Sequence, residues 1–319
     1  MELGGHALTV WLAFSGLVAV LLWLDLGVLN RRAHVLTLRE ATLASAGWVA
    51  LALAFGGFLW LREGATHALE YYAGYLIELS LSVDNLFVFI LVFQYFGVPA
   101  ALQPRVLKWG ILGAIVMRAV MIGLGAILLA RFTWIPFVFG AILIFTGVRM
   151  LTQDEVRVDP AKNPLLRLMR RVLPISKAYH GQKFVVRTRT RWLLSPLVLV
   201  LAFVEWTDLV FAIDSIPAVF AVTNDPFIVY SSNVFAILGL RSLFFVLAGA
   251  MDRFTYFQAG VSAILIFVGG KMILAKWLHL PIVISLGVIV GLLGAAILAS
   301  WLKNRREARE KLKDLVPGE

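Results

Sequence analysis

The chain has 319 residues, of which 61% are hydrophobic and 15% are charged, and its mean hydropathy is +0.88. About a quarter of the residues of a soluble domain are charged, so this composition excludes an ordinary soluble protein and predicts an all-α polytopic membrane protein. The chain has no cysteine, which excludes disulfides and thiolate metal sites. Its net charge of +10 comes mostly from residues 157–191 and the tail from Lys303 onward. In a membrane protein, such basic clusters indicate contact with anionic lipid at the cytoplasmic surface rather than nucleic-acid binding.

Apolar stretches long enough to cross a bilayer recur along the whole chain. We predict nine spans, at 8–29, 41–61, 67–96, 105–130, 134–151, 192–222, 227–250, 254–277 and 281–302. The connections that follow spans one, three, five and nine are rich in Lys and Arg, and all four lie on one side if the N-terminus is outside. We therefore expect an outside N-terminus and a cytoplasmic C-terminus.

Five segments follow from this pattern. They are two N-terminal transmembrane helices (1–62), a first three-helix unit (63–151), a basic cytoplasmic loop (152–191), a second and inverted three-helix unit (192–278), and a ninth helix with a basic cytoplasmic tail (279–319). Within the loop, LLRLMRRVL is typical of an amphipathic helix on a lipid surface, and FVVRTRTRW alternates like a short strand.

An internal repeat relates the two three-helix units. AILIFTGVRML (141–151) and AILIFVGGKMI (263–273) are closely similar, and each follows a mid-span arginine, Arg118 in the first unit and Arg241 in the second. Because each unit has an odd number of spans, the second must insert upside down relative to the first. Inverted repeats are typical of secondary transporters, whose sites lie near the membrane midplane.

Carboxylates lie deep inside spans three and six. They are Glu78, Asp84, Glu205, Asp208 and Asp214. A charged residue at the bilayer centre costs about 2.5–3.5 kcal/mol, so these groups must be paired, protonated or bound to a cation. Arg118 and Arg241 are the predicted charge partners. Five negative groups and two positive ones leave a formal charge of −3, which one divalent cation and one proton would neutralise. A purely structural charge network is the alternative.

The surrounding side chains restrict the ion. None of the five histidines lies deep in a span and cysteine is absent, whereas Asn85 and Ser215 directly follow the acidic residues. An oxygen-only ligand set suits Mg²⁺, Ca²⁺ or Mn²⁺, and the residues do not choose among the three. The predicted metal ligands are Glu78, Asp84, Asn85, Glu205, Asp208, Asp214 and Ser215. Asn233 is a candidate for the ion pathway or for a bridge between two helices.

Helix geometry raises a difficulty for one convergent site. Six residues of unbroken helix turn by about 240° and rise about 9 Å, so Glu78 and Asp84 would point to different faces. We therefore expect span three to unwind near residues 80–85, and Pro217 to break span six. Asp25, at the end of span one, is interpreted as an ordinary interfacial acid.

Three segments carry a family resemblance. YLIELSLSVDNLFVF, EWTDLVFAIDSIPAVFAVTNDPF and NVFAILGLRSLFF resemble the TerC family, and the layout is similar to its Alx-type branch, from about residue 8 to residue 302. The resemblance implies an exporter of Mn²⁺ in the cell inner membrane. It also implies that the acidic residues of ELSLSVDN and EWTDLVFAIDS, with Asn85 and Ser215, form the transport path.

Our reading is therefore a secondary transporter that exports Mn²⁺ through a midplane carboxylate site, in exchange for protons. We expect no enzymatic activity, no bound cofactor and no nucleic-acid partner. The alternatives are export of another hard divalent cation such as Ca²⁺, a non-transporting membrane scaffold in metal or envelope stress that docks through its basic loop, and an intramembrane hydrolase with paired aspartates.

Overall fold

A computed structural model describes residues 2–3, 6–25, 37–152, 163–176, 178–187, 192–249, 256–277 and 280–315. The helices are α1 (Leu8–Trp23), α2 (Leu38–Glu63), α3 (Ala65–Tyr95), α4 (Gln103–Arg131), α5 (Ile135–Thr152), α6 (Pro164–Val172), α7 (Pro196–Phe220), α8 (Pro226–Leu238), α9 (Leu240–Ala248), α10 (Phe257–Leu274) and α11 (Ile282–Leu315). A 3₁₀ turn, Ala100–Leu102, precedes α4. Two short hairpins complete the fold, β1 (Glu2–Leu3) with β2 (His6–Ala7) and β3 (Val185–Arg187) with β4 (Trp192–Leu194).

The predicted class, an all-α polytopic membrane protein, is confirmed. Within the described ranges, seven helices are long and apolar enough to cross a membrane, or eight if α8 and α9, which pass the same test together with a bend of 45°, are one broken span rather than a re-entrant loop. α1 is also apolar, but its 16 residues make it shorter than a typical span. The count of nine spans, the five-segment division and the orientation of the termini stay predictions.

Local sequence sets where several helices begin. Thr37 and Glu40 form a capping box before α2, in which the Thr37 hydroxyl accepts from the Glu40 amide at 3.3 Å and the Glu40 carboxylate accepts from the Thr37 amide at 2.9 Å. Proline occupies the first helical position of α6, α7 and α8, where its missing N–H leaves no intrahelical bond unmade. These signals define the first residue of each helix.

α3 is the central helix. It packs against α2, α7, α8, α9 and α11, and most of its side chains are buried. By contrast, α2, α4 and α11 expose large apolar side chains such as Leu61, Val116 and Val283, as expected of helices that face lipid. The polar residues in the middle of α3, Glu78, Ser80, Ser82 and Asn85, lie in the protein interior rather than toward the bilayer.

The predicted interruption of the acidic helices is wrong. α3 continues without a break through residues 80–85, and α7 continues through Pro217. Pro217 stands in the last turn of α7, where the loss of one backbone hydrogen bond ends the helix soon afterward rather than breaking it in the middle. The break lies instead at Gly239, between α8 and α9, because glycine is a poor helix former and tolerates the change of direction.

The two copies of the AILIF block, in α5 and α10, cross antiparallel with their backbones in contact. An added Cβ at Gly269 would lie 2.7 Å from the Gly140 carbonyl oxygen, and one at Gly147 would lie 2.8 Å from that of Ser262. In the alignment of the two blocks, Gly140 corresponds to Ser262 and Gly147 to Gly269. The two contacts are therefore equivalent under exchange of the helices. This is the crossing that an inverted repeat requires, although the repeat itself stays a prediction.

The basic loop contains both of its predicted elements. Residues 165–172 of LLRLMRRVL lie in α6, which ends before Leu173. FVVRTRTRW supplies β3 and the first residue of β4, and the two strands pair with Val185 opposite Leu194 and Arg187 opposite Trp192. α6 lies against α7. The loop therefore adds a small folded layer at the end of the helix bundle where α3 ends and α7 begins.

Candidate functional site

Arg118, on α4, lies at the centre of the buried polar residues and is 1% exposed. Its guanidinium donates to the Glu78 carboxylate, to Asp208 Oδ1 at 3.2 Å, to Asn233 Oδ1 at 2.8 Å and to Ser215 Oγ at 3.3 Å. One side chain thus joins α3, α4, α7 and α8. We call these five residues the Arg118 cluster.

The Arg118 cluster is not fully neutralised by its own members. Two carboxylates face one guanidinium, which leaves a formal charge of −1 if both acids are ionised. Glu78 Oε2 and Asp208 Oδ2 are buried and have no hydrogen-bond partner among the residues that the structure describes. Buried carboxylate oxygens normally have a hydrogen-bond partner. One proton on either of these oxygens would supply a hydrogen-bond donor and would neutralise the cluster.

A second polar region is a cavity of about 280 Å³ beside the cluster, between α3, α5 and α7. Its polar lining consists of Asp84, Asn85, Thr146, Arg149, Asn163, Thr207 and Asp214. The Thr146 hydroxyl donates to Asp214 Oδ1 at 2.9 Å. The remaining lining includes Leu81, Phe203 and Trp206, so the carboxylates lie in an apolar surround with space for several water molecules. We call this space the aspartate cavity.

The aspartate cavity suits a hard cation. Asp84 and Asp214 occupy corresponding positions of the two predicted repeats, and Asn85, Thr146 and Thr207 add neutral oxygen atoms. No cluster of three or more His, Cys, Asp or Glu side chains able to hold a metal occurs among the described residues. A cation in this cavity would therefore use two carboxylates, neutral oxygens and retained water, a ligand set typical of Mg²⁺, Ca²⁺ or Mn²⁺.

The seven predicted ligands are divided between different places. Asp84, Asn85 and Asp214 line the aspartate cavity, whereas Glu78, Asp208 and Ser215 belong to the Arg118 cluster. Glu205 lies apart, half-buried against Gly113 in a small pocket that it shares with Asp208. The unbroken helices explain the division, because residues six apart on a helix point to different faces. A ligand role for each of the seven stays a prediction.

Asn233, the pathway candidate, is part of the Arg118 cluster and does not line the aspartate cavity. It accepts from Arg118 and donates through its amide to the Val229 carbonyl oxygen at 2.9 Å. Its contacts are those of a bridge between α4 and α8.

The prediction that Arg241 pairs with the deep acids is wrong. Arg241 Nη2 donates to Asp25 Oδ1 at 2.8 Å, and both side chains are buried. The bend at Gly239 turns α9 away from the line of α8 and places Arg241 near the end of α1. Asp25 is therefore an internal partner, not an ordinary interfacial acid.

Sequence reasoning missed four polar residues of the aspartate cavity, namely Thr146, Arg149, Asn163 and Thr207. A signal for two of them was present in the repeat. Thr146 stands where the second copy has Val268, and Arg149 where it has Lys271. The first copy thus has a polar residue where the second has an apolar one, and both copies have a basic residue at the position of Arg149. Within an otherwise apolar block, both features indicate contact with a polar site.

The fold and the buried acids define a class, namely an integral multi-pass membrane protein with an internal carboxylate-lined site. Within that class, the chain belongs to the integral membrane protein TerC family, whose model matches residues 63–308.

Several relatives are similar over nearly their whole length. The chain is 50% identical over 296 residues to an "Uncharacterized membrane protein STKORF319" of Myxococcus xanthus, covering 93% of each chain. It is 45% identical over 308 residues to the "Putative membrane-bound redox modulator Alx" of Escherichia coli (strain K12), covering 93% of this chain and 96% of that protein. An "Uncharacterized membrane protein" of Rickettsia felis is 41% identical over 294 residues. No solved structure matches the chain.

Proposed function

We propose that the protein exports Mn²⁺ from the cytoplasm through the aspartate cavity, in exchange for protons. The observation that supports this most directly is the pair Asp84 and Asp214, which come from corresponding positions of α3 and α7 and line the same cavity. Carboxylates at this depth are costly unless they serve a ligand or a partner. Here the cation is the substrate, and the two aspartates bind it.

The composition of the cavity supports a divalent cation rather than an anion. Asp84 and Asp214 oppose Arg149, so the ionised lining has a formal charge of −1 before a cation enters. A divalent cation changes this to +1, and an incoming oxyanion would instead meet two carboxylates. The geometry favours a hard divalent cation. The choice of Mn²⁺ among the hard divalent cations rests on the family resemblance alone.

In this proposal, the Arg118 cluster holds the proton that is exchanged for the metal cation. Thr207 lines the cavity and the next residue of α7, Asp208, belongs to the cluster, so the two sites use adjacent residues of one helix. Glu78 and Asp208 each have one buried carboxylate oxygen without a hydrogen-bond partner among the described residues. A proton held there compensates for the charge that a departing cation leaves behind. Exchange of one species for the other keeps the buried carboxylates close to neutral throughout the cycle.

The cavity extends toward one membrane surface. Arg149 and Met150, near the end of α5, and Asn163, just before α6, contribute to its lining. This end adjoins the basic loop, for which the distribution of Lys and Arg predicts the cytoplasm. A cavity that reaches the cytoplasmic side is suited to load an ion for export.

The name of the Alx relatives, a redox modulator, supports no thiol mechanism in this chain. Because the sequence has no cysteine, dithiol–disulfide exchange is not available to it. Movement of a redox-active metal ion across the membrane is compatible with that name and with the residues present. We therefore assign no catalytic residue.

The test is ion flux in liposomes that contain the purified full-length protein. We expect Mn²⁺ to enter or leave at a rate that increases with an imposed pH gradient of the correct sign. Asp84→Asn and Asp214→Asn should each reduce the flux to that of protein-free liposomes. Glu70→Gln is the matched control, since it makes the same kind of change on α3 at a residue that contacts Thr223 instead of the cavity.

Two results would contradict the proposal. Normal flux by both aspartate variants would show that these residues do not carry the ion. Absence of flux for Mn²⁺, Ca²⁺ and Mg²⁺ by the correctly folded parent protein would favour the scaffold alternative. Faster movement of Ca²⁺ than of Mn²⁺ would retain the site and reassign its substrate.

A further inference from the structure

α6 and the chain after it form a surface with only positive charges. Residues 163–187 contain no Asp or Glu. The basic residues described in this segment are Arg167, Arg170, Arg171, Lys183 and Arg187. On α6 itself, Leu168 and Val172 are 59% and 68% exposed. The helix thus presents arginines beside uncovered apolar side chains, an arrangement typical of helices that lie at a membrane surface.

The position of α6 is fixed by the protein. Leu166 is buried, and the Asn163 side chain accepts from the Leu166 amide at 3.2 Å at the start of the helix. After the helix, the Leu194 amide donates to the Pro174 carbonyl at 2.9 Å and the Ser176 amide to the Leu194 carbonyl at 2.8 Å. The arginines and the exposed apolar residues are therefore held at a defined height on the bundle.

A cavity of about 450 Å³ lies beside α6. Its apolar side is formed by Phe96, Leu173, Ile175, Pro196 and Leu199, and its polar side by Arg170, Ser176 and Tyr179. Phe96 directly follows α3 and Pro196 begins α7. The cavity is therefore at the ends of two membrane-spanning helices, which is the depth of lipid headgroups.

The polar side of this cavity has one charged donor for a phosphate, the Arg170 guanidinium. The Arg170 guanidinium stacks near the Phe96 ring at 5.9 Å from its centroid, which orients the planar group. The Tyr179 hydroxyl donates to the Phe96 carbonyl at 2.7 Å, and burial raises the pKa of this tyrosine, so it stays neutral. Arg170 is thus the charged group in the lining, and its guanidinium can bind two phosphate oxygens at once.

We propose that α6 and this cavity bind an anionic phospholipid, with its phosphate at Arg170. Its acyl chains lie along the apolar side of the cavity, at Phe96 and Leu199, and Arg167 and Arg171 attract the surrounding anionic headgroups. A phospholipid accounts for both halves of the surface, since a soluble phosphate would leave the apolar half uncovered. The inference does not depend on the proposed transport function.

Lipid binding by the full-length protein provides the test, with phosphatidylglycerol and phosphatidylcholine titrated separately and followed by native mass spectrometry. We expect phosphatidylglycerol to bind more tightly. At about 1 kcal/mol for each basic residue near an anionic surface, Arg170→Gln should weaken its binding about five-fold, and R167Q/R170Q/R171Q on the order of a hundred-fold. Arg131→Gln, at the far end of α4, is the charge-matched control and should bind like the parent.

Three outcomes would overturn the proposal. They are unchanged phosphatidylglycerol binding by the triple variant, equal binding of the two lipids by the parent, and full displacement of the lipid by inorganic phosphate, which would assign the site to a soluble anion. The thermal unfolding of each variant in detergent shows whether it is folded, and if the triple variant is not, the single Arg170→Gln comparison decides. Because the measurement needs neither metal nor flux, its failure is distinct from failure of the proposed export.

Discussion

Asp25, at the end of α1, accepts a hydrogen bond of 2.8 Å from Arg241, in the first turn of α9. Both side chains are buried. The pair connects the N-terminal helix to the bend at Gly239, and it is separate from the Arg118 cluster. The two mid-span arginines that the sequence relates to each other thus have different partners in this conformation.

Loss of one member of this pair should be costly. Removing one partner of a buried ion pair destabilises a protein by about 3–5 kcal/mol, since the other charge is left without compensation. We expect Asp25→Asn to lower the thermal unfolding midpoint in detergent. The double variant Asp25→Asn with Arg241→Gln should be more stable than the sum of the two single changes predicts. An unchanged midpoint for Asp25→Asn would show that the contact contributes little.

The Arg118 cluster gives a second prediction. Arg118→Met leaves Glu78 and Asp208 buried without their cation, so we expect poor folding and a loss of roughly 3–5 kcal/mol. Adding Glu78→Gln and Asp208→Asn removes the uncompensated charges and should restore folded protein, measured as monodisperse material after purification. If the triple variant folds no better than Arg118→Met, charge compensation is not what holds these four helices together.

Arg149 offers a prediction about affinity. Its positive charge lines the aspartate cavity together with Asp84 and Asp214, so it opposes the entry of a cation. Arg149→Gln should lower the KM for Mn²⁺ flux by roughly five-fold, equivalent to about 1 kcal/mol. The distant Arg131→Gln should leave KM unchanged. A higher KM for Arg149→Gln would mean that the arginine organises the site instead of repelling the ion.

Neighbouring glycines of α10 allow a matched packing test. An added Cβ at Gly269 would lie 2.7 Å from the Gly140 carbonyl oxygen, whereas one at Gly270 would meet nothing within 4 Å. Gly269→Ala should destabilise the protein by about 1–3 kcal/mol through overpacking, and Gly270→Ala should be neutral or slightly stabilising. Equal thermal unfolding midpoints for the two variants would show that α5 and α10 separate easily.

The sequence was sufficient for the class and for most helices, because apolar length is a local property. In the structure, Arg118 pairs with Glu78 and Asp208, two of the deep acids. The sequence could not locate the bend, since it offered Pro217 as the stronger helix breaker and Gly239 carries only a modest preference against helix. The partner of Arg241 depends on that bend, so Asp25 was missed for the same reason.

The predicted interruption of the acidic helices is wrong because it assumed that all the carboxylates bind one ion at one site. An unbroken helix separates Glu78 from Asp84 by about 240° and 9 Å, and the structure keeps that separation. One face of α3 therefore contributes to the Arg118 cluster and another to the aspartate cavity. Two sites with different chemistry result from a single uninterrupted helix.

The crossing of α5 and α10 has a mechanical consequence. Where main chains touch at glycine, two helices can change their mutual tilt without first rearranging bulky side chains. Because the contact is equivalent when viewed from either helix, such a tilt would narrow the space on one side of the crossing as it widens the space on the other. In the proposed transport cycle, the small residues at this point would then be the pivot about which the ion site opens in turn to each face of the membrane.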